Sequence, residues 1–295
     1  MNHISQLSLG LWNRNEQRVV KPCRFCGNEV LTYSSLDPMC PAWACQEERE
    51  RLERAATRER NLAELEDRLP RILRNRGMGP AELGAAREDV TPQLWELTVD
   101  WIQELLDQPE NPKGGFGLLA SQGSGPGTGV GKSCLMAVAT KSWAQASAEA
   151  FIRAYGVSEP SKWAPLWANW EQKLTQIREA IRDSWRSADL MDQLKEAPLL
   201  ILDDLGAEQA REDSWGDTQL YAILETRYSA GRATLWTSNL TKAEFTARYS
   251  KRLVSRLFGM ALPIEVPTGL LDRRLLTAKA RVARRNVQKF QPRAS

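Results

Sequence analysis

The sequence predicts an α/β protein, a mainly parallel sheet flanked by helices, preceded by a small metal-binding region and a linker helix. Three observations carry this. A short apolar strand, a glycine-rich loop and a helix follow one another from Phe116 to Ala150. Apolar runs then alternate with helical stretches as far as Ser238, and four of the five cysteines crowd between Cys23 and Cys45. With 295 residues, 42% of them hydrophobic, the chain can bury a sizeable core, which excludes disorder throughout. The balance of 40 Lys+Arg against 37 Asp+Glu excludes a generally basic coat for nucleic acid, although eight Lys or Arg and no acid follow Asp272. No apolar run approaches the ~20 residues of a membrane helix, and Met1 to Asn15 lacks the basic start and apolar centre of a signal peptide. A cytoplasmic protein with no membrane partner is expected.

The punctuation divides the chain into residues 1–75, carrying the cysteines and a charged helix, a linker over 76–92, and the α/β domain with its basic tail over 93–295. In the first part, Glu47/Arg51 and Glu50/Arg54 at i, i+4 spacing predict one long helix from Gln46 to Leu69, with Leu62, Leu65, Leu69 and Ile72 as a narrow apolar stripe. That stripe suits either a partner helix or the neighbouring domain. Asn75-Arg-Gly-Met-Gly-Pro80 breaks the pattern. Thr91-Pro92 opens a helix that runs to Asp107, a capping residue followed by the proline favoured in a first turn. Phe116-Gly-Leu-Leu-Ala120 reads as a strand, Lys132 to about Ala150 as a helix, and Ala150-Phe-Ile-Arg-Ala154 as a second strand. A tryptophan-rich helix from Pro165 to Trp185, a strand at Leu199–Leu202, a helix around Leu220–Tyr228 and a strand at Ala233–Ser238 complete the pattern.

Gly123-Ser-Gly-Pro-Gly-Thr-Gly-Val-Gly-Lys-Ser133 lies between a strand and a helix, the context that a phosphate-cradling loop requires. Its glycines let successive backbone N–H groups turn toward phosphates, and the helix that follows adds its positive end. Gly127, Thr128, Gly129, Val130, Gly131, Lys132, Ser133 and Cys134 are therefore the candidate nucleotide-binding stretch, although Cys134 is by default a packing residue. Lys132 would reach the β and γ phosphates of ATP, and the Ser133 hydroxyl would ligate Mg²⁺. The first glycine of the usual spacing falls on Pro126, so either proline is tolerated there or Gly125 takes the place with one residue inserted. Leu199-Leu-Ile-Leu-Asp-Asp204 adds carboxylates at the end of a buried strand, Asp203 for magnesium and Asp204 as the general base polarising a water.

In this combination and order the chain resembles the AAA+ ATPases of the DnaC/DnaI helicase-loader type and their IstB-like relatives. The likeness covers roughly Arg76 to Lys279 and rests on the phosphate loop, Leu199-Leu-Ile-Leu-Asp-Asp-Leu-Gly206, Leu224-Glu-Thr-Arg-Tyr228 and Thr234-Leu-Trp-Thr-Ser-Asn-Leu240. The resemblance implies that Asn239 is the sensor-1 residue aligning water against the γ-phosphate. It implies that Arg256 is an arginine finger for a neighbouring subunit and that Arg274, in Asp272-Arg-Arg274, stands in the sensor-2 helix. Thr241-Lys-Ala-Glu244 reads as a capping box opening the next helix.

Cys23-Arg-Phe-Cys26 and Cys40-Pro-Ala-Trp-Ala-Cys45, with thirteen residues between them, offer two thiolate pairs that suit one tetrahedral zinc. Trp167, Trp170, Leu174, Ile177, Ile181 and Trp185 recur at helical spacing as a face more suited to burial, with Lys173, Arg178, Arg182 and Arg186 leaving open a base-stacking role. The basic tail, with Arg281, Arg284, Arg285 and Lys289, is either a solvated face or a hold on single-stranded DNA. The expected function is an ATP-dependent replication accessory that self-associates on single-stranded DNA and loads a replicative DNA helicase. The alternatives are a transposition helper of the IstB kind, or a zinc-dependent DNA-binding adaptor that uses ATP as a structural switch.

Overall fold

The computed structural model describes residues 18–33, 43–121, 129–156, 159–208 and 215–270. The chain forms two compact units, Met1–Arg60 and Asn61–Ser295. In the first, strands β1 (Arg18–Pro22) and β2 (Glu29–Tyr33) pair antiparallel, and helix α1 (Trp43–Ala63) follows, its exposed face laced by ion pairs such as Arg49–Glu53 and Arg54–Glu50.

The larger unit begins at Asn61, in the last residues of α1, and continues with α2 (Leu65–Asn75), which the sequence grouped with the cysteines as one continuous helix. The helix breaks at Glu64, and Leu65, Leu69 and Leu73 are buried in the core of this unit, with Leu62 and Ile72 packed against it. The apolar stripe is thus covered within its own unit. Residues 76–92 are not a plain linker either: they hold α3 (Pro80–Leu83) and a 3₁₀ turn at Arg87–Asp89. The expected helix to Asp107 is two, α4 (Pro92–Glu96) and α5 (Val99–Leu106), with the Thr98 hydroxyl bonding back to the Leu94 carbonyl (2.9 Å) at the break.

Strand β3 (Phe116–Ala120) leads to α6 (Lys132–Tyr155). The strand expected at 150–154 is a correction: these residues are the last turns of α6, which runs on to Gly156, a left-handed cap at φ 75°. The second core strand lies further on. After α7 (Pro160–Trp163) comes β4 (Leu166–Asn169), then α8 (Trp170–Ala180), α9 (Ser184–Glu196) and β5 (Leu199–Leu205). The single tryptophan-rich helix is therefore also corrected. Asn169 caps α8 through the Gln172 amide and Asp183 caps α9 through the Arg186 amide, so the chain starts a helix twice where periodicity suggested one. Helix α10 (Trp215–Ser229), β6 (Ala233–Thr241), α11 (Lys242–Arg248), α12 (Lys251–Met260) and β7 (Leu262–Glu265) close the unit. The capping box of Thr241 and Glu244 opens α11.

All described pairings among β3 to β7 are parallel, in the order β4-β5-β6-β3-β7. Alternate residues of each strand face opposite layers. Leu199 and Ile201 join Phe116, Leu118 and Leu235 under α2, α5 and α6, whereas Leu200 and Leu202 join Leu119 and Trp236 under α8 to α12. This is an α/β architecture, a parallel five-stranded sheet with both faces covered. The edge strand β4 is covered by main chain: the Trp167 amide donates to the Arg76 carbonyl (2.9 Å), and Gly77, at φ 97°, lies so close that a Cβ would meet the Trp167 oxygen at 2.1 Å. No helix among the described residues is long and apolar enough to cross a membrane.

Arg227, fully buried, ties α9 to the start of β6. It donates to Ala197 O (2.7 Å), Thr234 Oγ1 (3.0 Å), Leu194 O (3.1 Å), Lys195 O (3.2 Å) and Ala233 O. Burial lowers its pKa to about 9. Arg227→Met would strand these acceptors at a cost of roughly 3 kcal/mol. Differential scanning calorimetry should show a fall in Tm of roughly 6–12 °C, and an unchanged Tm would contradict this role.

Candidate functional site

A cleft of about 1010 Å³ opens at the carboxyl ends of β5 and β6, walled by the start of α6 on one side and by residues Pro80 to Asp89 on another. Gly129 (φ 82°) and Gly131 (φ 98°) turn the chain in left-handed backbone conformations into α6, so the first helical residues, Lys132 and Ser133, face the cleft. Gly127 and Thr128 lie outside the described residues.

The two aspartates reach the same cleft through an irregularity. In a regular strand neighbouring side chains point to opposite faces. Between Leu202 and Leu205 β5 advances three residues while β6 advances only two, from Trp236 to Ser238, which is a β-bulge. Asp204 sits at φ 63° within it, in the left-handed region that a non-glycine residue rarely adopts, and both Asp203 and Asp204 line the cleft.

Five of the expected residues fall into two hydrogen-bonded groups. Lys132 Nζ donates to Asn239 Oδ1 (2.8 Å), and Asn239 Nδ2 donates to Asp204 Oδ1 (2.6 Å). Ser133 Oγ donates to Asp203 Oδ1 (2.9 Å), placing the two candidate magnesium groups side by side. Asp203 is buried, and burial pushes its carboxyl above the ordinary carboxylate range; the bonds from Thr237 and Ser133 pull it down, and the nearby charges of Asp204 and Glu82 push it up. A divalent cation between Ser133 and Asp203 would relieve this burial cost, and the cationic Lys132 beside glycine amides is suited to a polyphosphate. The residues present thus fit Mg²⁺ and a nucleoside triphosphate.

Two features of the cleft escaped the sequence reading. Thr237 donates to Asp203 Oδ1 (2.6 Å) and accepts from the Asp204 amide (2.9 Å). Its signal was available, since it stands two residues before Asn239 on the same strand and so shares its face. The wall from Pro80 to Asp89, including Glu82, had no signal beyond its glycine and proline punctuation; Lys141 of α6 holds it by donating to the Leu83 carbonyl (3.0 Å) and to that of Ala85.

Arg256 is not at this cleft. On α12, it stacks over the Tyr228 ring (4.7 Å) and its Nε donates to Glu225 Oε2 (2.5 Å), with the side chain 37% exposed. Arg274 lies outside the described residues. Cys134 lines the cleft behind Ser133 and packs against the core.

In the small unit, Cys23, Cys26 and Cys45 converge with their sulfurs within 4.8 Å of one another, Cys23 and Cys45 at 3.9 Å. Four thiolates about 2.3 Å from one zinc stand roughly 3.8 Å apart, so the spacing fits that ion. A tight turn makes it possible: the Gly27 amide donates to the Cys23 carbonyl (2.9 Å), and Gly27 takes φ 76°. Cys40 lies outside the described residues. Elemental analysis of freshly purified, reduced protein is expected to give one zinc per chain. Cys45→Ser should lose the metal and unfold the small unit while leaving the melting of the larger one in place, and well under one zinc in the wild type would contradict the site.

No family model matches this chain, and no curated protein does. Among solved structures it is similar to the DnaC helicase loader, at 17% identity over 64% of this chain and 100% of that one, with a TM-score of 0.48. It is similar also to DnaI (21% identity, 65% and 95% covered, TM-score 0.47) and to AMPPCP-bound DnaA from Aquifex aeolicus (19%, 60% and 48%, TM-score 0.45). At such identities the likeness concerns the fold, and the chemistry of the cleft has to be argued from its own residues.

Proposed function

We propose that this chain is an AAA+ ATPase of DNA replication that works in the cytoplasm as a loader of a replicative helicase, binds single-stranded DNA, and carries a structural zinc in its amino-terminal unit. The observation that carries the ATPase reading is the joining of Lys132, Asn239 and Asp204 in one chain of hydrogen bonds beside the Ser133–Asp203 pair. A Mg²⁺ ion held by Ser133 and Asp203 would neutralise charge on the transferring phosphoryl group. Lys132 would exchange Asn239 for phosphate oxygens, freeing Asn239 Oδ1 to accept a hydrogen bond from a water beside Asp204. Asp204 would accept that water's proton.

The DNA reading is supported where α8 gives way to α9. Trp170, Leu174 and Ile177 are buried, but Ile181 is 52% and Trp185 87% exposed, beside the exposed Arg182 and Arg186. A bare indole among cations suits stacking on an unpaired base next to its phosphates. Trp185→Ala should weaken binding of an oligothymidine by about 5–150-fold, the worth of one stacked base, with the salt dependence kept. Arg182→Ala should instead flatten the slope of log K against log salt by roughly 0.7. Wild-type affinity in both variants would remove this surface from DNA binding. The helicase partner is tested by capture of the replicative helicase on the immobilised full chain, expected with wild type and lost with the zinc-free Cys45→Ser variant; capture of a transposase alone would favour the transposition helper. An adaptor that binds ATP as a switch is the second reading, favoured by an aspartate, shorter than glutamate, at position 204 and already bonded to Asn239.

A further inference from the structure

We infer that Thr237 is a positioning residue of the cleft, its hydroxyl joining the carboxylate of Asp203 to the main chain of Asp204 and thereby fixing the direction of both aspartates. The inference rests on the ATPase reading above. The Asp204 amide can only donate, and it donates to Thr237 Oγ1 (2.9 Å); the hydroxyl's one proton is therefore directed to Asp203 Oδ1 (2.6 Å). Thr237 is buried, so no bulk water stands ready to replace either bond. The geometry explains how a bulge with Asp204 at φ 63° persists: the amide that the register shift takes out of the β5–β6 ladder finds its acceptor on the neighbouring strand. If Ser133 were to ligate a metal, Thr237 would remain as a donor to Asp203. Threonine also suits the place as a β-branched residue with restricted χ1 in a central strand.

Two variants separate the hydroxyl from the bulk around it. Thr237→Val keeps the shape and removes both bonds; Thr237→Ser keeps the bonds and removes a methyl. In the full chain, Thr237→Val should speed hydrogen exchange of the Asp204 amide at least ten-fold or so. It should also lower kcat for ATP by roughly 10–100-fold, the cost of a displacement near 1 Å, while ATP affinity changes by less than about three-fold. Thr237→Ser should retain wild-type exchange and most of the turnover. Wild-type exchange at Asp204 in Thr237→Val would overturn the inference, as would a serine variant as impaired as the valine one, which would assign the effect to packing. A wild-type chain with no turnover would instead overturn the ATPase reading, and the exchange measurement would still decide whether Thr237 holds Asp204.

Discussion

Lys132→Ala is expected to abolish nucleotide binding, and with it every activity that depends on ATP. The side chain is buried at the first turn of α6, with its ammonium 2.8 Å from Asn239 Oδ1, so it is held at the mouth of the glycine turn rather than free to search for phosphate. Removing it takes away a point charge from a partly desolvated site, where an ionic hydrogen bond to phosphate is about twice as strong as a neutral one. It also leaves Asn239 without one partner, so the Asp204 contact slackens as well. Titration with a fluorescent ATP analogue should show no saturable binding in Lys132→Ala at concentrations that saturate the wild type. Saturation at the wild-type concentration would place the nucleotide elsewhere.

Arg256→Ala should lose hydrolysis in the assembled protein by about 10³-fold or more, the contribution of an arginine finger, with ATP binding by the monomer nearly unchanged. The structure gives this expectation a condition. At home the guanidinium is bonded to Glu225 and stacked on Tyr228, so to serve a neighbour it must either leave Glu225 or present its remaining N–H groups from that stack. Being planar and permanently charged, it can fork onto phosphate oxygens in either case. Arg252, one turn earlier and exposed, is the reserve. Mixing Arg256→Ala with Lys132→Ala protein, each inactive alone, should recover activity where an intact pocket meets an intact finger. Full activity of Arg256→Ala alone would leave the residue as a surface partner of Glu225.

What the sequence made legible is what chemistry confines to short strings. The glycine loop with Lys132 and Ser133, and the apolar run ending in Asp203 and Asp204, can be read because phosphate binding and metal binding need those residue types side by side. The sheet was harder. β4 is four residues long, and its Trp167 falls at helical spacing from Trp170 and Leu174, so periodicity alone assigns it to a helix; the Asn169 cap is what separates strand from helix. The end of α6 went astray for a related reason: Phe151 and Ile152 look like a strand, but only Gly156 offers the left-handed residue that stops the helix. The bulge in β5 has no sequence signature, since Asp204 tolerates its left-handed conformation through partners on β6 that are distant in sequence. The wall from Pro80 to Asp89 was hidden because a connection between units and a binding wall share the same glycines and prolines.

The central claim, that this cleft hydrolyses ATP with Asp203 holding magnesium and Asp204 receiving the water's proton, is tested most directly by Asp204→Asn. Phosphate release and ATP affinity should be measured on the same samples, with Mg²⁺ and single-stranded DNA present. The wild type should turn over, and Asp204→Asn, nearly isosteric and still able to bond Asn239, should bind ATP as tightly while losing turnover by about 10²–10⁴-fold. Unchanged turnover in Asp204→Asn, or no turnover in the wild type, would contradict it.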